Sequence, residues 1–333
     1  MGIVELGVAF ITSLFFCLIL IFFTKKTGFF LDKPKEDRKV HKTATPRIGG
    51  LAIFSGISAD YFLLKNPLLF KFIAIPSPLI FIAIVEDLKE LSPYLRFVFM
   101  FLTAILAIVY LDAVVYNLGF IHLPYPVAIL FSIVAIVGAI NAFNIVDGLN
   151  GLVSGLSILI LVAYAYLFHI TGRSELVEVS LILAAAVLGF FVLNFPKGLI
   201  FLGDTGSYYL GFSIAVLSIL LAGAKHTAVS PWVPMVAMFY PVWETLFSIY
   251  RRLKEGKNPL HPDKEHLHFL LYRFFNNSHA KATLTILGAQ AVLLFLAVLF
   301  YKNTPFLIFL FLLAVACYIA AYKTLKRELN LPS

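Results

Sequence analysis

Apolar runs of about 20 residues follow one another along almost the whole chain, and they leave very few folds open. Lipid offers no partner to a backbone N–H or C=O, so only helices and closed barrels cross a bilayer. A membrane barrel is built from segments of about ten residues that alternate outward and inward. The runs here are longer and continuous, so the sequence predicts an all-α, polytopic membrane bundle. With 61% hydrophobic and 13% charged residues, a soluble core is excluded.

The runs lie at about 3–23, 48–64, 68–85, 97–113, 125–142, 152–170, 177–194, 207–223, 231–249, 282–301 and 304–322, which predicts about eleven transmembrane helices. Breakers separate them: Asn66-Pro67, the stretch 117–126, Thr171-Gly172 and Asn303 with Pro305. The first run is followed rather than preceded by its basic residues, Lys25 and Lys26, and no small-x-small site closes it. It reads as a retained span and not as a cleaved leader. No repeat stands out, and residues 1–333 read as one domain.

Placing 24–47 in the cytoplasm assigns every other connection by alternation. Cytoplasmic segments then hold 21 of the 26 Lys and Arg residues, and the other side holds Lys65, Lys71, Arg173, Lys225 and Lys302. That asymmetry predicts an outside amino terminus and a cytoplasmic carboxyl terminus. The formal net charge of +8 is gathered on one face, where it suits anionic lipid or an anionic substrate. Cys17 and Cys317 lie within apolar runs without Cys or His neighbours, so packing accounts for both.

The same threading delivers five polar stretches to that face: 32–50, 84–91, 141–152, 201–207 and 261–271. Taken alone, Glu86 and Asp87 are an ordinary charged helix end. Asp204 is harder to read so, because Gly203, Gly206 and Ser207 flank it and a span begins at once. Free N–H groups at such a turn suit an anion, and the aspartate suits its cation.

Asn141, Asn144, Asp147 and Asn150 recur every third residue, which makes successive members neighbours on a helix surface. Gly148 and Gly151 predict that the helix opens at the interface. Interhelical hydrogen bonding is the plain alternative to a role for these amides in binding metal, phosphate, sugar or base. His261, His266 and His268 accompany Arg251, Arg252, Lys254 and Lys264. Positions 266 and 268 face the same way only if that segment is extended, and hydrogen bonding to a diphosphate suits them better than zinc. Arg38, Lys39, His41, Lys42 and Arg47 crowd the first long loop, as a topology signal or a phosphate clamp.

Together these motifs resemble the polyprenyl-phosphate N-acetylhexosamine-1-phosphate transferases, a superfamily that includes phospho-N-acetylmuramoyl-pentapeptide transferase. The likeness rests on DxPxxxRKxH with TPRxGG at 32–50, the acids Glu86, Asp87 and Glu90, NAFNxxDGxxGL at 141–152, FxGDxGS at 201–207 and HPDxEHxH at 261–268. It is closer to the branch using UDP-N-acetylhexosamine, and it covers nearly the whole chain.

The resemblance implies transfer of a sugar-1-phosphate from a UDP-sugar to undecaprenyl or another polyprenyl phosphate, with release of UMP. It further implies magnesium, with manganese as the alternative, and a cytoplasmic-face site in the inner membrane. This would be the first membrane step of a cell-envelope polysaccharide such as cell wall, lipopolysaccharide or teichoic acid. By that analogy Asp87, Glu86, Asp147, Asn144 and His266 are catalytic, and Asp204 and Asp87 hold the metal. Lys42, Arg47, Asn150, Asn194, Phe201, His261 and His268 bind substrate. A homodimer is compatible with it, and nucleic acid is not a partner. The family usually carries Asp where Glu86 and Asn150 stand. An ion-coupled transporter is the rival class, for which Asp60, Asp112 and Glu244 supply acids away from the five stretches.

Overall fold

The computed structural model describes residues 3–32, 44–89, 91–223, 228–258, 263 and 265–331. Helix α1 (Ile3–Thr27) leads to two short antiparallel strands, β1 (Leu31–Asp32) and β2 (Thr45–Pro46). Then follow α2 (Gly49–Leu64), α3 (Pro67–Ala74), α4 (Ser77–Leu88), α5 (Pro93–Leu111) and α6 (Tyr125–Ile145). The chain continues through α7 (Leu152–Ile170), α8 (Ser174–Asn194), α9 (Gly203–Ser218) and α10 (Trp232–Ala237). It closes with α11 (Phe239–Lys254), α12 (Leu267–Phe274), α13 (His279–Leu299) and α14 (Thr304–Glu328).

The protein is an all-α polytopic membrane bundle. Among the described residues nine helical stretches are long and apolar enough to cross a bilayer, with α3 and α4 counting as one stretch, Pro67–Leu88. The other two of the eleven expected runs are helical in a different form. Helix α2 has 16 residues, which rise only about 24 Å. The run expected at 231–249 is broken at Met238 into α10 and α11, and α11 continues to Lys254. Pro234 and Pro241 each sit in a first turn, where the missing N–H has no partner to lose.

The breakers act as the sequence suggested. Asn66 Oδ1 accepts from Leu68 N at 2.8 Å and Leu69 N at 3.3 Å, starting α3, and Asn303 Oδ1 accepts from Phe306 N at 3.1 Å, starting α14. Large apolar side chains such as Phe15, Phe22, Phe62, Phe81, Leu130 and Phe295 point outward and exposed from different helices. A belt of that kind is tolerated against lipid and not against water.

Helix α9 is the axis of the bundle, every residue of it buried, and α2, α4, α6 and α7 pack around it. Small residues make this possible. A Cβ on Gly50 would strike the backbone of Gly206, so α2 and α9 cross at main-chain distance. Gly211 has the same relation to α6, since a Cβ there would come 2.7 Å from Ile140 Cα. The buried axis therefore begins, at Gly203, where α2 begins and where α4 and α6 end.

Candidate active site

Main-chain pairing brings the first and fourth polar stretches together. Phe201 N donates to Pro46 O at 2.7 Å, Gly49 N to Phe201 O at 2.8 Å and Gly50 N to Leu202 O at 2.9 Å. Arg47 N donates to Phe30 O at 2.8 Å on the other side. The segment carrying Arg47 is thus laced between 30–32 and 201–202, and a Cβ on Gly49 would lie 2.8 Å from Phe201 O. This register aims the guanidinium at the start of α9: Arg47 Nη2 donates to Asp204 Oδ1 at 2.7 Å, and Nε lies 3.6 Å from Asp87 Oδ1.

Asp87 reaches α9 from the end of α4. Asp204 N donates to its Oδ1 at 2.9 Å, Thr205 N to Oδ2 at 3.2 Å, and Thr205 Oγ1 to Oδ2 at 2.7 Å. A helix start leaves N–H groups unpaired and carries partial positive charge, so a carboxylate placed there satisfies both at once. Gly203 has φ +76°, and a Cβ on it would fall 2.8 Å from Asp87 Oδ2 and 2.9 Å from Arg47 O. Glycine is required by the backbone and by the space.

Asn144, on the last turn of α6, donates through Nδ2 to Asp204 Oδ1 at 2.9 Å and to Ser207 Oγ at 3.0 Å. With Arg47, this leaves Asp204 Oδ2 free of hydrogen bonds to any described residue. Asp147 lies on the turn after α6, so the expected helical row of Asn141, Asn144, Asp147 and Asn150 ends at its second member. Burial raises the Asp147 carboxyl to about 7, Arg47 opposing and Asp204 and Asp87 adding to the rise. Burial works to lower the Arg47 guanidinium, but Asp204, Asp87 and Asp147 outweigh it and raise it.

Other expected residues fall elsewhere. Glu86 turns away, accepting from Leu91 N at 3.0 Å and lying 3.4 Å from Arg96 Nη1. Asn141 donates to Val137 O at 2.8 Å, within its own helix. Both ends of the Asn194 amide are taken by backbone, with Gly151 N donating to Oδ1 at 2.6 Å and Nδ2 donating to Ile200 O at 2.8 Å. Asn194 thereby fixes the turns flanking the site. Asn150 Nδ2 donates to Pro196 O at 3.0 Å. Lys42, Glu90, His261 and Lys264 lie outside the described residues.

The two remaining histidines meet face to face, rings 5.2 Å apart and 5° from parallel. His266 is extended, with ψ 147°, and His268 is already in α12, so a change of backbone between them puts both rings on one side. His266 Nδ1 lies 2.9 Å from Glu244 Oε1, and His268 Nδ1 lies 3.0 Å from Tyr240 Oη. A Cβ on Gly148 would come 2.6 Å from His268 Nε2, so the pair abuts the turn that carries Asp147. Burial, then the adjacent His266, lowers His268 to about 3. Asp263 accepts from Arg251 Nη2 and Arg252 Nε, each at 2.8 Å, and these overcome burial to hold it well below the usual carboxylate range.

Sequence reasoning missed Thr205 and Glu244 as parts of this arrangement. A hydroxyl one place after Asp204 in a first turn was the available signal for Thr205. A cavity of about 630 Å³ lined by Lys71, Asp112, Arg173 and Glu175 opens at the opposite end of the bundle and shares no residue with the site.

Among the described residues no three acids or histidines stand close enough to enclose a cation by themselves. Asp204, with one oxygen uncommitted, could supply a single carboxylate to magnesium, which takes one or two carboxylates and completes its shell with phosphate and water. Both oxygens of Asp87 are occupied by α9, which favours Asp204 as the direct ligand.

Residues 69–222, which include Asp87, Asn144, Asp147 and Asp204, match the family described as glycosyl transferase family 4. The chain is 33% identical over 301 residues to a probable undecaprenyl-phosphate N-acetylglucosaminyl 1-phosphate transferase of Bacillus subtilis (strain 168), covering 85% of this chain and 81% of that one. It is 31% identical over 308 residues to an undecaprenyl-phosphate alpha-N-acetylglucosaminyl 1-phosphate transferase of Thermotoga maritima, covering 92% of each. The enzyme of that name from Salmonella typhi is 29% identical over 297 residues, covering 84% of this chain and 80% of that one.

Proposed function

This chain belongs to glycosyl transferase family 4, and on that premise we propose that it transfers an N-acetylhexosamine-1-phosphate from a UDP-sugar to polyprenyl phosphate, releasing UMP. The observation that carries the reading is the convergence of Arg47, Asp87, Asn144 and Asp204 on the first turn of a buried helix. Undecaprenyl phosphate is the acceptor in the relatives' names, and N-acetylglucosamine is the first sugar to try.

Transfer of a phosphoryl group asks a protein chiefly for alignment and for charge stabilisation. A lipid monophosphate is largely dianionic at neutral pH, its second pKa being near 6, so a strong base is not needed. The obstacle is repulsion between two anions. Arg47, with a 41% exposed side chain, offers its free donors to them. Asp87 keeps the α9 start fixed, and Asn144 with Arg47 holds one oxygen of Asp204 and leaves the second uncommitted. Magnesium held by Asp204, with Asp147 at hand, would screen the phosphates.

Helix order, with the Lys and Arg asymmetry, supports a cytoplasmic site and an outside amino terminus, and a polyprenyl phosphate acceptor suits a polytopic bundle in the inner membrane. The ends that gather around Asp204 are those whose connections hold the Lys and Arg excess. At the carboxyl end, Lys326 in the last turn of α14 donates to Glu265 at 3.1 Å, one residue before His266. The reaction places the protein at the first membrane step of an envelope polysaccharide.

Purified protein given polyprenyl phosphate, UDP-N-acetylglucosamine and magnesium should release UMP, and chelation of the metal should abolish it. A panel of UDP-sugars identifies the donor. No UMP from any donor, with the protein folded and monodisperse, rejects the reading.

A further inference from the structure

Glu244 lies in α11, a single acid in an apolar stretch, and its side chain is completely buried. Four donors surround it. His266 Nδ1 is 2.9 Å from Oε1 and Ser248 Oγ 3.4 Å from the same atom, while Tyr318 Oη from α14 is 2.7 Å and Leu267 N 3.2 Å from Oε2. A buried carboxylate is costly unless hydrogen bonds satisfy it, and four convergent donors meet that condition.

The consequence falls on His266. A carboxylate accepts and cannot donate, so the hydrogen on this ring belongs to Nδ1, where Ser248 Oγ at 3.1 Å can share it, and Nε2 is left as the working atom. The ring plane is fixed as well, because His266 is stacked on His268 and His268 is anchored by Tyr240. Nε2 of His266 is 3.8 Å from Asp263 Oδ1, beyond hydrogen-bond reach, and the other Asp263 oxygen is bound by Arg251 and Arg252. Nothing described occupies Nε2. With Nδ1 turned to the carboxylate, Nε2 is the ring nitrogen left for an incoming group, and it meets an anionic oxygen through a shared proton.

The structure assigns Glu244 as a positioning residue: through His266 Nδ1 it sets the tautomer and plane of the imidazole, so that Nε2 meets the phosphates of the nucleoside-diphosphate donor. The identity of that anion rests on the proposed reaction, whereas the placement of the ring does not. Glu244 itself touches no substrate. Its acid, which stands alone in sequence, serves a histidine 22 residues away and not a path across the membrane.

A double-mutant cycle tests this in the full-length protein. Glu244→Gln should lower the UMP-release rate by about tenfold or more, the range seen when a group orienting a working histidine is lost. In the His266→Ala background the same change should cost less than about twofold, because the ring it positions is gone. Equal losses in the two backgrounds would mean that Glu244 acts on the fold at large, and the assignment fails. Tyr318→Phe, which removes one donor and keeps the acid, gives a second cycle if Glu244→Gln does not fold; it should cost a few-fold alone and nothing beside His266→Ala.

A readout independent of turnover is the imidazole N–H spectrum of protein labelled with [15N]histidine. The signal assigned to His266 by its absence in His266→Ala should be an Nδ1–H signal, lost in Glu244→Gln. An Nε2–H tautomer in the unaltered protein overturns the assignment whatever the activity. Protein that shows the Nδ1–H signal yet releases no UMP upholds the placement and rejects the reaction.

Discussion

The carboxylate centre and the histidine centre are neighbours built on opposite plans. At the first, main chain holds the side chains: both oxygens of Asp87 bind N–H groups of α9, and Arg47 is placed by a short parallel pairing with 201–202. At the second, side chains hold side chains, with Glu244 on His266 and Tyr240 on His268. Substitutions at the first should therefore damage catalysis and fold together unless they spare the backbone. Substitutions at the second should change how a ring is presented while leaving the bundle standing.

The sharpest way to break this contrast is within the first centre. Asp204→Asn should lower UMP release by on the order of tenfold or more with little change in melting temperature, because its bonds from Arg47 and Asn144 are to side chains. Asp87→Asn should lower activity as much and also destabilise by about 1–3 kcal/mol, since an amide cannot accept with both ends and leaves a buried N–H of α9 unpaired. Thermal melting of the two variants in one detergent, beside UMP release, separates them. Equal melting temperatures would remove Asp87 from its capping role.

A matched pair of glycines carries the contrast between centres. Gly203→Ala forces a positive φ on a side chain and pushes Cβ to 2.8 Å from Asp87 Oδ2, so it should cost about 1–2 kcal/mol and most of the activity. Gly148→Ala meets the ring of His268 at 2.6 Å without a backbone penalty, so it should reduce activity with a smaller loss of melting temperature. If Gly148→Ala destabilises as much as Gly203→Ala, the histidines are as much a part of the fold as the carboxylates.

Much of this was legible in the sequence because lipid is an unforgiving solvent. Apolar length fixed the helical class, and Asn66 and Asn303 marked starts that their side chains cap. Asp204 was legible because the glycines around it had no other purpose. The form of the second and ninth runs was not, since hydropathy does not distinguish a short helix from a span, nor a helix broken at Met238 from a whole one. The partner of Asp87 was hidden for another reason: its carboxylate caps a helix 117 residues away, and capping across helices leaves no local pattern. Glu244 read as a candidate transport acid because one acid in an apolar run looks the same whether it serves an ion or a histidine. The row 244, 248, 251 and 252 on one face of α11 was the overlooked signal, for it joins Glu244 to Ser248, Arg251 and Arg252 around the loop of His266.

The last effect is a dependence of stability on pH that belongs to the second centre. His268 titrates at about 3 in the folded chain, chiefly through burial, against about 6.5 for a free histidine. The unfolded chain thus takes up a proton that the folded chain refuses. Stability from this group is complete above about pH 6.5 and is lost as pH falls toward 3, by up to about 1.4 kcal/mol per pH unit. His266, Glu244 and Asp263 also act on the ring, so the slope must be isolated by difference. Unaltered protein and His268→Gln, melted side by side from pH 7.5 to 5, should diverge in slope, the unaltered protein falling faster. Parallel curves would mean that the His268 ring takes up its proton in place, and that the stacked pair is looser than its 5° alignment implies.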